Sequence, residues 1–451
     1  MNTIATNRVA PSFYLILAIS VSVFLSTLDT SIMNTALSHI GAALLLSEAS
    51  SVWLVTSYQM ALLALILPVS SFADRIGYKL IFMCGLLIFT LGSLCCVWAE
   101  SFPLLISARV LQGVGASAIL GSNTALLRLV YPSDKLGKGL GLNALILALG
   151  VSLGPPLASF ILSFASWHWL FTINIPIGFS MLFLVYKYMP KTEKVAAVKL
   201  DIVANVLCML MFALFIFLIG EISNQKSWYF IGIEAVLMLI CGIALYYRQR
   251  GEANPLLPVD LFKNPVFTLS TLVAIFAFLT QSLCYVTFPF FFTRMLGKDI
   301  LEMGMLIAPW PLTAAVLAPI VGKLADKYSP AFLGGMGLLF LCIGLCTIVN
   351  LDYGVASYFI IGAMMLNGTG FALFIAPNQK ALILSAPVER TGAASGVLGA
   401  SRLIGQATGA TIVAFCFNYF QDNTETVALY IGASSALIGA LLSWQRLLYK
   451  K

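Results

Sequence analysis

Polar residues are so sparse along this chain that its apolar stretches run to membrane-spanning length. A helix that crosses a bilayer needs about 20 apolar residues. Fourteen such stretches follow one another, beginning near residues 13, 51, 80, 104, 138, 168, 200, 228, 266, 304, 331, 355, 393 and 426. The segments between them are too short for a soluble domain, so the pattern predicts an all-α polytopic membrane protein. The first stretch has no small-residue cleavage site and many similar ones follow it. It therefore reads as a span and not as a cleaved signal.

Charge sorts the connecting segments into two sets. One carries Arg75, Lys79, Arg128, Lys135, Lys138, Lys187, Lys191, Lys194, Lys199, Arg248, Arg250, Lys263, Lys323, Lys327, Lys380, Arg390, Arg446, Lys450 and Lys451, with Arg8 in the N-terminal tail. The other carries Lys226, Arg294 and Lys298. By the positive-inside rule both termini are expected in the cytoplasm of a bacterium, with the chain in its inner membrane. Trp53, Trp98, Trp167, Trp169 and Trp228 fall at the outer ends of their spans, where interfacial aromatics belong.

Composition agrees. Only 10% of the 451 residues are charged and 60% are hydrophobic, whereas a soluble domain carries about 25% charge. The net charge of +7 follows from the loop asymmetry, so no nucleic-acid partner is implied. The nine cysteines stand singly or as Cys95-Cys96, without a CxxC pair, and there are two histidines. They read as small apolar fillers, and no metal or other cofactor is expected.

Within the first span, Ile19 to Leu37, one carboxylate stands near the middle. Ser22, Ser26, Asp29, Thr30 and Met33 fall at i, i+4, i+7, i+8 and i+11, one helical face. An ionised Asp at bilayer depth costs at least a few kcal/mol, so Asp29 should look into a bundle and act there. Span 4 offers Arg109, Gln112, Gly113, Ala116, Leu120 and Asn123 on one face. Arg109 is the expected partner of Asp29, with snorkelling to the interface as the alternative. Span 5 aligns Asn143, Gly150, Gly154 and Ala158, a small-residue stripe of the kind that lets two helices touch, and Pro155-Pro156 bends it. In Ser166 to Gly178, Asn174 and Pro176 interrupt the pattern below the two tryptophans. Span 13 places Ser395, Gly399, Arg402, Gln406 and Gly409 on one face, for packing or for function. Glu234 in span 8 is a further intramembrane acid.

An internal echo divides the chain. Ser70-Ser71-Phe72-Ala73-Asp74-Arg75 follows span 2, and Gly322-Lys323-Leu324-Ala325-Asp326-Lys327 follows span 10. Asp74 and Asp326 are 252 positions apart (326 − 74). The echo predicts a six-helix bundle over 1–190, an inserted pair over 191–255 and a second six-helix bundle over 256–451. The same offset sets Asp29 against Gln281. Parallel halves with a path between them are a transporter pattern.

Together these motifs resemble the major facilitator superfamily, and within it the fourteen-helix drug:proton antiporters. The loop after span 2 resembles G-x-L-A-D-R-x-G-R-K, with Ser70 for the first Gly, Phe72 for Leu and Tyr78 for the first basic residue. Leu28-Asp29-Thr30-Ser31-Ile32-Met33-Asn34-Thr35-Ala36-Leu37-Ser38 is similar to L-D-x-T-I-V-N-x-A-L-P without its Pro. R-x-x-Q-G-x-G is complete from Arg109 to Gly115. The antiporter pattern G-x-x-x-G-P matches at Gly150, Gly154 and Pro155 but ends in Ala158-Ser159. W-x-W-x-F-x-I-N-x-P-I-G matches from Trp167 to Gly178. The resemblance covers essentially the whole chain.

It implies proton-coupled efflux of amphipathic drugs or toxic organic compounds by a monomer whose halves rock about a midplane cavity. Asp29 would carry the proton and Arg109 would help discharge it. Asp74, Arg75, Gly77, Lys79 and Asp326 would form the switch loops. Gly150, Gly154 and Ala158 would be the sliding seam between halves. Residue type and helix phase suggest a substrate cavity of Asn34, Tyr58, Gln59, Gln112, Asn123, Asn143, Gln281, Tyr285, Phe288, Asn367, Asn378 and Arg402. Relatives that export dications carry extra acids in spans 10 and 13, and none is found there. One proton entering across about 100 mV yields about 2.3 kcal/mol, and one pH unit adds about 1.4. One proton then sustains roughly 500-fold export of a neutral compound but only about tenfold for a monocation. A lone acid is expected to suit neutral or monocationic cargo. The rivals are a proton-coupled symporter importing a small metabolite, and a scaffold or sensor that transports nothing. No catalytic constellation suggests an enzyme.

Overall fold

The computed structural model describes residues 13–131, 136–189, 201–223, 228–250, 252, 255–256, 258–387, 390–420 and 423–449. Arg8, Lys135, Lys191, Lys194, Lys199, Lys226, Lys450 and Lys451 lie outside these residues, as does the expected domain boundary at 190–191. The helices in chain order are α1 (Phe13–Ala43), α2 (Glu48–Ile76), α3 (Tyr78–Val97), α4 (Phe102–Val130), α5 (Leu136–Leu162), α6 (Trp169–Thr172), α7 (Asn174–Tyr188), α8 (Ile202–Ser223), α9 (Trp228–Gln249), α10 (Pro265–Phe290), α11 (Ile300–Ile307), α12 (Pro309–Lys327), α13 (Pro330–Val349), α14 (Ser357–Leu384), α15 (Thr391–Tyr419) and α16 (Thr424–Gln445). Each predicted span begins within a few residues of one of them. α6 and α7 together make one span, as do α11 and α12.

Eleven of these spans are long and apolar enough to cross a membrane. α5 and α8 hold shorter apolar stretches, Leu149–Leu162 and Ile202–Leu218. α15, rich in Gly, Ser, Ala and Thr, is not among the eleven. The fourteen-span expectation is thus met in the number of helical segments and not in hydropathy. A helix enclosed by protein needs small residues for close packing more than it needs apolar bulk.

Helix ends follow local chemistry. Ser47 caps α2 by accepting from the Ser50 N–H, and Asn264 caps α10 by accepting from that of Val266, with Pro265 at the first helical position. Gly77, at φ 111° and ψ 135°, is the whole connection between α2 and α3. Only glycine adopts that backbone without strain. α11 starts at Ile300, earlier than predicted, so Glu302 falls inside a span that the sequence left without an acid. It sits in the first turn, 3.1 Å from Lys298 Nζ, and accepts from Ser357 Oγ at 2.5 Å.

α1 packs against α5 and α7, and α2 and α3 pack against α4. α10 packs against α15 and α16, and α13 against α14 and α16. The two sets meet where α2 crosses α15, α5 crosses α11 and α12, and α1 crosses α10. α8 lies along both α2 and α15 and so covers that seam. It pairs with α9, whose Arg248 Nε donates to both Asp201 oxygens at 2.8 Å. Burial works against the Asp201 charge, but the Ala204 N–H and the Arg248 guanidinium outweigh it and hold this carboxyl below its usual range.

α1 begins and α16 finishes at the same end of the bundle, the terminal end. At the opposite, distal end one continuous apolar core joins both sets, from Leu37, Val55 and Leu162 to Phe290, Leu306 and Trp310. Arg294 adds an ion pair with Glu48 at 2.5 Å and approaches Glu425 at 3.5 Å. Towards the terminal end the core divides. One cluster gathers α1–α4, α7 and α8 with Leu403 and Ala407 of α15, and a smaller one holds Leu261, Phe267, Leu382, Ala394 and Val397. The molecule is closed at its distal end.

Candidate functional site

Five elements converge on Asp29. Arg109 NH1 of α4 donates to Asp29 Oδ2 at 2.6 Å, the ion pair expected from the sequence. Asn174 Nδ2 of α7 donates to Oδ1 at 2.8 Å, and Gln112 Nε2 reaches the same oxygen at 3.3 Å. Gln112 Nε2 also donates to Ser93 Oγ of α3 at 2.7 Å, and its Oε1 accepts from Arg109 NH1 at 2.7 Å. Arg109 Nε donates to the Leu54 carbonyl of α2 at 3.1 Å, and its guanidinium lies 4.5 Å from the Tyr58 ring centre. Asp29 is 3% exposed; Arg109, Gln112 and Ser93 are 0%. All three groups offered to Asp29 are donors, the surroundings of a charged carboxylate. In a low-dielectric interior such a network must be satisfied nearly throughout to be tolerated.

Arg109 reaches Asp29 and does not snorkel. Gln112, expected in a cavity, is wholly enclosed in this network. Asn174 and Ser93 were not among the expected site residues. Asn174 stood out as a polar break in span 6, whereas Ser93 carried no signal among the hydroxyls of α3.

The span-5 stripe lies against α1, beside the same network. A Cβ on Gly150 would meet Thr27 Cβ at 3.0 Å, and one on Gly154 would meet Ser31 Oγ at 2.3 Å and Ser31 Cβ at 2.4 Å. Ser31 Oγ donates to the Val151 carbonyl at 2.8 Å. These glycines therefore seat α5 on α1 within one set of helices. The contact between the sets comes a turn further on, where Gly304 of α11 faces Ser159 and the carbonyl of Pro155. Gly154→Ala is expected to lower stability by about 1–3 kcal/mol through overpacking, and Ser31→Gly to restore most of it. Thermal unfolding of the two single variants and the double variant in detergent checks this; a double variant no better than Gly154→Ala refutes the contact.

The turn residues are spread out. Arg75 is exposed, and Lys79 Nζ donates to the carbonyls of Tyr186, at 3.0 Å, and Met189. Lys79 thus ties the α2–α3 turn to the end of α7. Asp74 lies in the last turn of α2, its side chain outside the described residues. Asp326, its echo, accepts from Lys380 Nζ at 2.5 Å.

The expected cavity residues fall into three groups. Asn34 Oδ1, Gln59 Oε1, Tyr285 OH and Asn367 Oδ1 are buried without a protein hydrogen-bond partner, as is Trp310 Nε1. Gln281, the counterpart of Asp29, is buried on α10, the helix that packs against α1. Asn123 Nδ2 donates to Asn143 Oδ1 at 2.9 Å, which joins α4 to α5. The remaining ones lie in closed packing. Phe288 stacks on Phe292 at 5.2 Å. Asn378 accepts from Arg446 NH1 at 2.8 Å and donates to the Ser270 carbonyl at 3.0 Å. Arg446, which read as a loop cation, is buried in this second network with Ser443.

Two interlocked sets of apolar helices, closed at one end around a buried ion pair, define a polytopic membrane transporter. The chain belongs to the Major Facilitator Superfamily, whose family model matches residues 19–410 and 270–447. That family transports small substrates and is not enzymatic. Among its relatives, the "Uncharacterized transporter YebQ" of Escherichia coli is 40% identical over 96% of this chain and 95% of the relative. The "Riboflavin transporter RibZ" of Clostridioides difficile is 26% identical over 95% and 96%, and the "Multidrug resistance protein Stp" of Mycobacterium tuberculosis is 27% identical over 88% and 74%. Among solved structures, a peptide transporter POT bound to sulfate superimposes with a TM-score of 0.75 at 14% identity, over 98% and 97% of the two chains, a likeness of fold.

Proposed function

We propose that this transporter exports amphipathic organic compounds across the bacterial cytoplasmic membrane in exchange for protons. The observation that carries the reading is the Asp29–Arg109 pair, a carboxylate buried in mid-helix and bonded by three donors. Fourteen spans are part of the reading: the eleven, with α5, α8 and α15. So is the division into halves 1–190 and 256–451 with an inserted pair, 191–255. The basic side chains Lys79, Lys187, Lys323 and Lys327 at the terminal end favour a cytoplasmic setting for that end. The form closed at the distal end is then the inward-facing one. A proton taken up by Asp29 removes the charge that Arg109 holds, α1 is released along its Gly150–Gly154 contact with α5, and the bundle reopens distally. The multidrug relative supports drug cargo. The riboflavin-transporter relative supports a second reading, proton-coupled uptake of a metabolite.

Everted vesicles from overexpressing cells separate the two. Under antiport, adding an exported compound to respiring vesicles dissipates the preformed ΔpH, and vesicles lacking the protein show no change. A compound whose movement consumes ΔpH only in right-side-out vesicles, with substrate accumulating inside, establishes symport instead.

A further inference from the structure

Asp29 is fully engaged by partners of its own set of helices, so it has no charge left over for cargo. Arg402 of α15 is in the opposite position. It is half-buried, forms no ion pair among the described residues, and its Nε is buried without an acceptor. The ionisable group that faces it is the Tyr58 phenol of α2, the helix that α15 crosses. Tyr58 shares a 3.0 Å hydrogen bond with Ser26 Oγ and lies against Arg109. It is thus the common neighbour of a guanidinium paired with a carboxylate and of one that, among the described residues, has no such pair. One turn before Arg402 on the same face, a Cβ on Gly399 would meet nothing within 4 Å. Open space adjoins the cation, and the face around it, Ser395, Gly399, Gln406 and Gly409, is small or neutral.

A guanidinium removed from water without a counter-charge is expensive to keep. Its planar fork fits a carboxylate with two parallel N–H···O bonds. We propose that Arg402 receives the acidic group of the transported compound, and that the cargo class is amphipathic carboxylates. This rests on the export reading. It replaces the neutral or monocationic cargo inferred from the sequence, which treated Asp29 as the unpaired charge in the path.

The test uses full-length protein and several matched pairs of aromatic monocarboxylates and their methyl esters. Binding is titrated in detergent for wild type, Arg402→Lys and Arg402→Gln. In at least one pair the acid is expected to bind wild type about tenfold or more tighter than its ester, the scale of a charge-assisted hydrogen bond. Arg402→Gln removes that preference, and Arg402→Lys keeps part of it. Arg402→Gln should also melt at or above the wild-type temperature, because it relieves a partly desolvated unpaired charge. A preference that survives Arg402→Gln, no acid that outbinds its ester, or a melting point several degrees lower overturns the proposal, the last by assigning Arg402 to packing. Proton release from proteoliposomes is read separately. Arg402-dependent acid binding without any proton movement keeps the anion site and refutes antiport. Proton movement driven equally by acids and esters keeps antiport and refutes the anion site.

Discussion

Asp29→Asn is expected to cost about 3–5 kcal/mol of folded stability, the range for breaking a buried ion pair by removing one partner, and to abolish proton-driven transport. The stability loss comes from what stays behind. Arg109 is 0% exposed, with a 2.6 Å bond to Asp29 as its only ionic contact among the described residues, so neutralising the carboxylate leaves a guanidinium in an apolar interior. Arg109→Gln should be destabilising for the mirror-image reason. The double variant Asp29→Asn, Arg109→Gln should recover much of the loss, because two neutral amides can still bond Asn174 and Gln112. Transport should not recover with it, since the carboxylate proposed to carry the proton is gone. Chemical unfolding in detergent gives the coupling energy from the four proteins, and ΔpH-driven uptake gives the second readout. An Asp29→Asn protein as stable as wild type, or one still driven by ΔpH, removes Asp29 from the mechanism.

Gly304→Leu is expected to hold the distal end open. Even a bare Cβ at Gly304 would stand 2.0 Å from Ser159 Oγ and 2.7 Å from the Pro155 carbonyl, and real Cβ contacts do not approach so closely. The clash lies between the two sets of helices, so it can be relieved by parting them, without unpacking either core. Transport should fall at least about tenfold, since less than 1.4 kcal/mol of imbalance between the two states biases them that far, while unfolding stability changes little. A cysteine placed at Asn34 in a background freed of the nine native cysteines should become accessible to a membrane-impermeant thiol reagent from the distal side. Unchanged labelling together with wild-type transport would show that Gly304 and Ser159 do not form the closing contact.

Much of this was legible from the chain. Apolar run lengths placed the helices to within a few residues, because the bilayer imposes a length that soluble folds do not. The Asp29–Arg109 pair was legible because each charge is too costly to leave alone in lipid. What the sequence hid were partners whose chemistry is ordinary until packing isolates them. Ser93 is one hydroxyl among several on α3. Arg446 stood in a basic tail, and only its seat against Ser270, Asn378 and Ser443 distinguishes it. The stripe on α5 was read correctly as a close contact and assigned to the wrong neighbour, since small residues announce proximity and not the identity of the helix they touch. The Arg402 proposal revises the expected cargo charge for a related reason. A count of buried acids says nothing of which are already neutralised.

Every side chain bonded to Asp29 among the described residues comes from α4 or α7, while Arg402 belongs to α15. On the two proposals above, drive and recognition reside in different parts of the polypeptide, which meet where α2 crosses α15. A lineage can exchange one without rebuilding the other. Substitutions on α15 can retune what is carried at no cost to the machinery that powers it, and recombination near the middle of the gene can join an old engine to a new load.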